Sequence, residues 1–449
     1  MGADYCDIRI SRASGTSLEL KDEQVQKAIF GESEGAGIRV LYGGAWGFYS
    51  THELEEVSLM KALETAFKLA KSISSIGERK AGMADVPTVS DTAIWAPKKD
   101  PRNIDMGDKH ELLRDVVSAA REKEGIKTVS AGYADKTVYQ RFLNSDGSDV
   151  RTEVTRTYIR SSVVAKDGDR ISSLVVSAGG TGGFEVFDQT GQNPIENARE
   201  GAESAIRLLH AGKSPSGKMP VISDPDLTGV FAHEALGHAT EADLVLAGDS
   251  CLEGKIGEYV GSEVVTIIDD PTRANVYGSF PYDDEGVKAR KKVLVEKGVL
   301  KTYLLSRETA YKLGMEPNGS ARAESIAYRP LVRMSNTFID NGDHSFEELV
   351  EDIKLGIYAK GSRGGQVDTG KGTFQFSAQE AFLIENGEIT KPLKDVSFGG
   401  RTLEILKSID AVGNDFRFGH PGSCGKGQWV PVSDGGPHIR IKEANVGGA

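Results

Sequence analysis

Cysteine is scarce in this chain of 449 residues. There are three, Cys6, Cys251 and Cys424. So sparse and odd a set argues against a disulfide framework and for a reducing compartment. Long apolar runs are missing, and none approaches membrane-spanning length. The opening Met1-Gly2-Ala3-Asp4-Tyr5-Cys6 has no basic region followed by an apolar one, so it does not read as a signal peptide. It also lacks the Ser or Thr that the myristoylation pattern wants at position 6. Long basic runs are missing too. The net charge is −12 and the pI is near 5.3, which argues against a nucleic-acid-binding surface. Lys288-Ala289-Arg290-Lys291-Lys292 reads as solvated strand ends. These absences lead to the expectation of a cytoplasmic protein with no direct nucleic-acid contact and no membrane contact.

What is present fits a globular chain, with 39% hydrophobic and 27% charged residues. The length exceeds one ordinary core and points to two or three domains. An alternating segment over 5–11 reads as a half-buried strand. Further strands are expected near 16–21, 25–30, 36–42 and 46–50, with glycine-rich turns between them. Thr51 can cap a helix over 52–73. A second helix carries Leu112, Leu113, Val116, Val117 and Ala120 on one side. A meander follows, with strands near 127–133, 137–143, 150–164 and 170–178. Gly179-Gly180-Thr181-Gly182-Gly183 reads as a hinge. Asn193-Pro194 opens a helix that ends at Gly212. From 261 onward the pattern is mostly β, with a strand over 331–339 and others at 374–376 and 381–385. Ser345-Phe346-Glu347-Glu348 is a capping box. The expected class is α+β. An N-terminal α+β scaffold covers 1–211, and a mostly antiparallel β domain carrying a helix with paired histidines covers 212–449.

That helix holds the chemistry. In Phe231-Ala232-His233-Glu234-Ala235-Leu236-Gly237-His238, two histidines flank a glutamate. Neutral imidazoles hold catalytic zinc, and an adjacent carboxylate activates water. The usual spacing is i, i+4; here it is i, i+5. On a regular α-helix that sets the side chains roughly 140° apart. A local widening to i→i+5 bonding realigns them, and Gly237 sits where such a distortion is easiest. Ser223-Asp224-Pro225-Asp226 supplies the helix start and Gly248 a stop. The same pattern also fits a buried helix whose histidines are merely hydrogen-bonded.

A hydrolytic zinc takes three protein ligands. Cys424, in the glycine-rich Pro421–Gln428 segment, is the leading third donor, and Lys426 nearby would help its thiolate slightly. Glu241, Asp243, His420 and Cys251 are rivals. Glu241 is expected on the same helix face as His238 and Glu234, as a ligand or as a partner that fixes an imidazole tautomer. Gly365–Gly372 nearly matches a phosphate-binding loop. It lacks the magnesium-binding hydroxyl, and a strand-like run follows it, so it is rejected.

Taken together, His233-Glu234-Ala235-Leu236-Gly237-His238-Ala239-Thr240-Glu241 and Gly422-Ser423-Cys424-Gly425-Lys426 resemble the TldD/PmbA family. Other matching stretches are Asn318–Glu324, Arg333-Met334-Ser335-Asn336-Thr337 and Gly365-Gln366-Val367-Asp368. The resemblance is to the TldD type, which carries the metal motif that PmbA (TldE) partners lack. It implies a zinc-dependent peptidase acting on unfolded or short peptides, as in leader-peptide processing. It also implies a cavity enclosed by a dimer, either with a PmbA/TldE-type paralogue or with a second copy. His233, His238 and Cys424 then become the Zn²⁺ ligands, and Glu234 the general base on the zinc-bound water. Glu241 and Arg322 are carried as residues that support a ligand or touch substrate. Three other readings stay open: a zinc amidohydrolase on a small-molecule amide, a non-catalytic assembly subunit with structural zinc, and a regulator of DNA topology, which the acidic balance disfavours.

Overall fold

Of the glycine-rich turns expected in the first 50 residues, the one at Gly43-Gly44 forms, with φ 57 and 78, and the others do not. The computed structural model describes residues 2–76, 81–189 and 191–448. In it β1 (Tyr5–Lys21), β2 (Gln24–Tyr42) and β3 (Ala45–Thr51) form a continuous meander. The expected turns near Gly15 and Gly31–Gly35 lie inside strands, with Gly15 paired to Gly31. Gly15 and Gly35 serve close approach instead. A Cβ on Gly15 would strike the Asp135 carbonyl, and one on Gly35 the Thr51 carbonyl.

Thr51 stays in β3, and α1 starts later than expected, at Glu56–Ser74. Its Ala62, Ala66 and Ala70 pack on Ile38 and Val40 of β2. After β4 (Ser90–Trp95), Asp105 caps α2 (Met106–Arg121) by accepting from Asp108 N. The two middle strands expected over 127–143 are one, β5 (Ile126–Asn144), followed by β6 (Asp149–Asp167) and β7 (Arg170–Thr181). Asn193 caps α3 (Pro194–Leu209). The sheet order is β3-β2-β1-β5-β6-β4, with β7 also on β6. α2 and α3 cover one face through Leu113, Val116, Val117, Ala198 and Ala202, against Leu18, Val129, Ile159 and Val163. Each such buried Leu, Ile or Val side chain contributes roughly 1.5–3 kcal/mol, and each alanine methyl less.

Residues 179–183 are not a free hinge. Thr181 N donates to Asn275 O at 3.2 Å, and Thr181 Oγ1 to Val276 O at 2.8 Å. Arg156 of β6 donates to Tyr277 O at 2.8 Å and Ser279 O at 2.6 Å. The end of β7 is therefore pinned to the second half of the chain.

That half is built on two larger sheets. One contains the strands Gly217–Ser223, Leu355–Asp368, Thr373–Glu385, Val396–Arg401 and Ile439–Gly448. The other contains Ile267–Asp269, Lys292–Glu296, Asn336–Ile339 and Trp429–Gly436. Most pairings are antiparallel, as expected. Gly217–Ser223 with Leu355–Asp368, and Asn336–Ile339 with Trp429–Gly436, are parallel. The helix with the paired histidines shares a core with residues of both sheets, including Ile339, Ile357, Phe374 and Phe376.

Three local expectations need correction. The strand expected over 331–339 is split into Leu331–Val332 and Asn336–Ile339. Between them Arg333 and Ser335 turn inward to hydrogen-bond other segments. The strands at 374–376 and 381–385 are one, Thr373–Glu385. Lys292 is not a solvated strand end: it is 4% exposed and pairs with Asp269 at 2.8 Å. No helix among the described residues is long and apolar enough to cross a membrane.

Candidate metal centre

The site begins at a helix cap. Asp224 follows the strand Gly217–Ser223, and its Oδ1 accepts from Leu227 N at 2.9 Å and Gly361 N at 3.0 Å. Pro225 takes the first helical position, where no N–H is needed. An α-helical turn over Pro225–Val230 gives way to a π-helical segment over Phe231–Gly237. The His238 N–H donates to His233 O, five residues back. The backbone thus adopts the period of the histidine spacing, and both imidazoles come to one side. Their ring centroids are 5.3 Å apart and nearly perpendicular.

Gly237 has ordinary helical angles, φ −53 and ψ −52. Its need for glycine is steric, since a Cβ there would run into the Met334 sulfur. The helix then breaks at Glu241, which has extended backbone, before a last turn over Ala242–Ala247. Gly248 ends that turn at φ 76, in the left-handed region that suits glycine. Glu241 therefore does not continue the helix face. The break still brings its Oε2 to 2.8 Å from His238 Nδ1.

Cys424 arrives from the other end of the chain, on the short strand Gly422–Gly425 paired to Trp429–Gly436. Arg333, wholly buried, clamps that hairpin by donating to Cys424 O at 2.5 Å and Gln428 O at 2.6 Å. Cys424 Sγ lies 3.3 Å from His238 Nε2. One donor atom from each of His233, His238 and Cys424 falls within 4.8 Å of the others.

The electrostatics of this triad are strongly perturbed. Burial opposes charge on the Cys424 thiol, but hydrogen bonds and charge from His233 and His238 outweigh it and pull the thiol down to about 5. Burial likewise disfavours charge on His238, but Glu241 and the Cys424 thiolate push it up to about 10. His233 is also raised, burial being outweighed by Cys424. His233 Nδ1 is buried with no hydrogen-bond partner among the described residues. Two imidazoles and a thiolate, buried and with a donor nitrogen unspent, form a set that suits a zinc-type cation. Glu234 lies beside them, with Oε2 3.7 Å from His238 Nε2 and a side chain 38% exposed.

The rival ligands lie elsewhere. Asp243 accepts from Lys426 at 2.8 Å, and Lys426 also reaches Glu241 at 3.2 Å. Lys426 thus serves the acids rather than the thiol. His420 stands 3.6 Å from Asp226. Cys251 packs against Gly372, in the turn before the strand Thr373–Glu385. Arg322 is 6% exposed and donates to Met334 O at 2.7 Å, behind the centre.

A cleft of about 730 Å³ reaches the neighbours of the triad at Gly422 and Ser423, next to Cys424, without being lined by the three donors or Glu234; Asp226, Val230, His420 and Asp434 line it together with Tyr158 and Arg160 of β6. Burial pushes the Asp434 carboxyl up to about 7; His233 draws it back, while Asp226 and Glu234 add to the rise. Sequence reasoning missed Asp226 as a lining group, Asp434 and the clamp Arg333. Only Arg333 had a signal, because it falls in one of the motif stretches.

Three family models match this chain. The PmbA/TldA metallopeptidase C-terminal domain covers 216–448, domain 1 covers 6–73 and the central domain covers 99–209. A metalloprotease of Methanothermobacter thermautotrophicus is 48% identical over 447 residues, 99% of this chain and 96% of the relative. The zinc metalloprotease TldD homolog of Saccharolobus solfataricus is 32% identical over 458 residues, 100% of this chain and 97% of the relative. Among solved structures, TldE from Thermococcus kodakarensis superposes with a TM-score of 0.80 at 21% identity, covering 99% of this chain and 97% of that one.

Proposed function

Because this chain belongs to the PmbA/TldD metallopeptidase family, we propose that it is a zinc-dependent peptidase cleaving unfolded or short peptides. His233, His238 and Cys424 hold the metal, and Glu234 is the general base. The observation that carries this reading is the i→i+5 turn, which gathers the donors and leaves Glu234 half-exposed next to them. A zinc ion held there supplies Lewis acidity to a water and to the scissile carbonyl.

The chain's own groups do the rest. Glu234 takes a proton from the attacking water and passes it to the leaving amine. Glu241 accepts from His238 Nδ1, which fixes the ring and leaves Nε2 as the metal donor. Arg333 holds the Cys424 hairpin in place. The cleft admits an extended chain more readily than a folded one. The three free cysteines support a reducing compartment such as the cytoplasm. The likeness to a TldE supports a paralogue of that type as the partner that completes a cavity.

The test is metal content and casein-type proteolysis on the same samples. Wild type is expected to hold zinc and cleave. Glu234→Gln should keep zinc and lose about 10²- to 10⁴-fold in rate, and Cys424→Ala should lose zinc. If wild type holds zinc without cleaving, a TldE-type partner is added. Continued inactivity, or a wild type that takes up no zinc when supplied, refutes the reading.

A further inference from the structure

The residues lining the cleft include an acidic and a basic group. Asp226 and Asp434 form the acidic group. Their Oδ1 atoms both lie close to Gly419, at 3.3 and 3.0 Å from where its Cβ would be. The cationic group is Arg160 of β6 and Arg363 of the strand Leu355–Asp368. Both arginines lie along β7. Arg160 is in register with Ser177, and Arg363 reaches toward Ser173 O at 3.5 Å.

These two guanidiniums differ from the surface arginines that are held bidentately, and they are set apart from other weakly paired ones, such as Arg121 and Arg199, by lining the cleft. Arg141 grips Asp149 with two bonds of 2.9 and 2.7 Å. Arg440 grips Asp410 with two of 3.0 Å. Arg160 has no carboxylate within ion-pair distance among the described residues, and Arg363 has a single long contact, 3.4 Å to Asp395. A guanidinium fork is shaped for a carboxylate. Here two forks face a cleft that adjoins the triad, and neither is filled by the chain.

We infer that Arg160 and Arg363 form a recognition site for a carboxylate of the peptide substrate. This rests on the peptidase reading and goes further, naming peptides that bear an acidic side chain or a free C-terminus as preferred. The arginines thereby place the carboxylate of an extended chain on the β7 side of the cleft, across from Asp226 and Asp434.

Binding to the zinc-loaded Glu234→Gln protein tests this without requiring turnover. Fluorescently tagged peptides are compared in matched pairs: one Glu against Gln, and a C-terminal acid against the amide. The expected result is a preference of about tenfold for the carboxylate member of at least one pair, of the size two half-exposed ion pairs supply, falling as salt rises. Arg160→Gln with Arg363→Gln in the same background should bring the ratio to about one, and Lys at both positions should restore only part of it, because an ammonium supplies the charge without the fork. Loss of only the Glu preference assigns the site to side chains; loss of only the C-terminal preference assigns it to chain ends. Equal binding within both pairs, or a ratio that survives the double Gln variant, overturns the proposal. Cleavage of the neutral peptides by zinc-loaded wild type, with a TldE-type partner added, is scored separately. Its absence counts against the peptidase reading and leaves the binding ratios to decide this one.

Discussion

Two buried sets of charge in the second half of the chain follow opposite rules. Around Asp269 every demand is met from within. Lys292 Nζ lies at 2.8 Å, Ser335 N and Oγ donate at 2.7 Å, and Thr337 Oγ1 donates at 2.9 Å. Burial alone would raise this carboxyl, yet Lys292 and the Ser335 bonds hold it below its usual range. The His233–His238–Cys424 set is as well buried but incomplete. A ring nitrogen has no partner, and a thiol is drawn toward its thiolate by the two imidazoles. A buried group that is fully paired is holding the fold together. One that stays short of partners, at a backbone distortion with a cleft beside it, is arranged for something the chain does not itself provide.

The sharpest way to break this comparison is to unpair the satisfied set. Lys292→Ala leaves Asp269 buried and uncompensated, and should cost about 3–5 kcal/mol in chemical denaturation. A loss below about 1 kcal/mol would mean that the Asp269 set is not structural in the sense argued. A smaller effect is expected on the other side. Glu241→Gln keeps a hydrogen-bonding group next to His238 but removes its charge, and should weaken zinc about 10- to 100-fold in competition with a chelating dye. Unchanged affinity would place Glu241 with the structural charges instead.

The smallest effect concerns Asp224, which belongs cleanly to neither set. Burial and Asp226 push its carboxyl up to about 7, against its backbone hydrogen bonds and Arg417. Its folded-state pKa therefore lies above the unfolded one near 3.9. The stability this represents is full below about pH 4 and is lost as pH rises through about 7. Asp224→Asn keeps the cap acceptor and removes the titration. Its unfolding midpoint relative to wild type should rise from pH 4 to pH 8, and a difference that does not move with pH would contradict the shift.

Much of this could be read from residue types alone, where the signal was local. Asp224-Pro225, the Ser345 capping box and the stop at Gly248 act over one helical turn, and each appears where expected. The i+5 spacing of the histidines required a π turn, and the turn is there. What could not be read depended on distant neighbours. Gly15 and Gly35 look like turn residues until the Asp135 and Thr51 carbonyls are set against them. Lys292 looks solvated until Asp269 is placed beside it. The break at Glu241 has no local marker, because an isolated bridge to Leu304 helps to set that backbone. Asp434 sits in a run of small residues with nothing to announce it, and it matters only because the Trp429–Gly436 strand passes the triad.

The clamp on Cys424 has a consequence for how the protein is made. His238 and Cys424 are 186 residues apart in sequence. The strand that carries the thiol pairs in turn with residues 429–436, which follow it. A polypeptide still being synthesised therefore carries its histidines and its glutamate long before it has the third donor. Contacts of such long sequence separation also form late for entropic reasons. A chain whose proposed substrates are unfolded polypeptides is itself one at birth. In this architecture the proposed third ligand can join the other two only after the chain has grown 186 residues beyond His238.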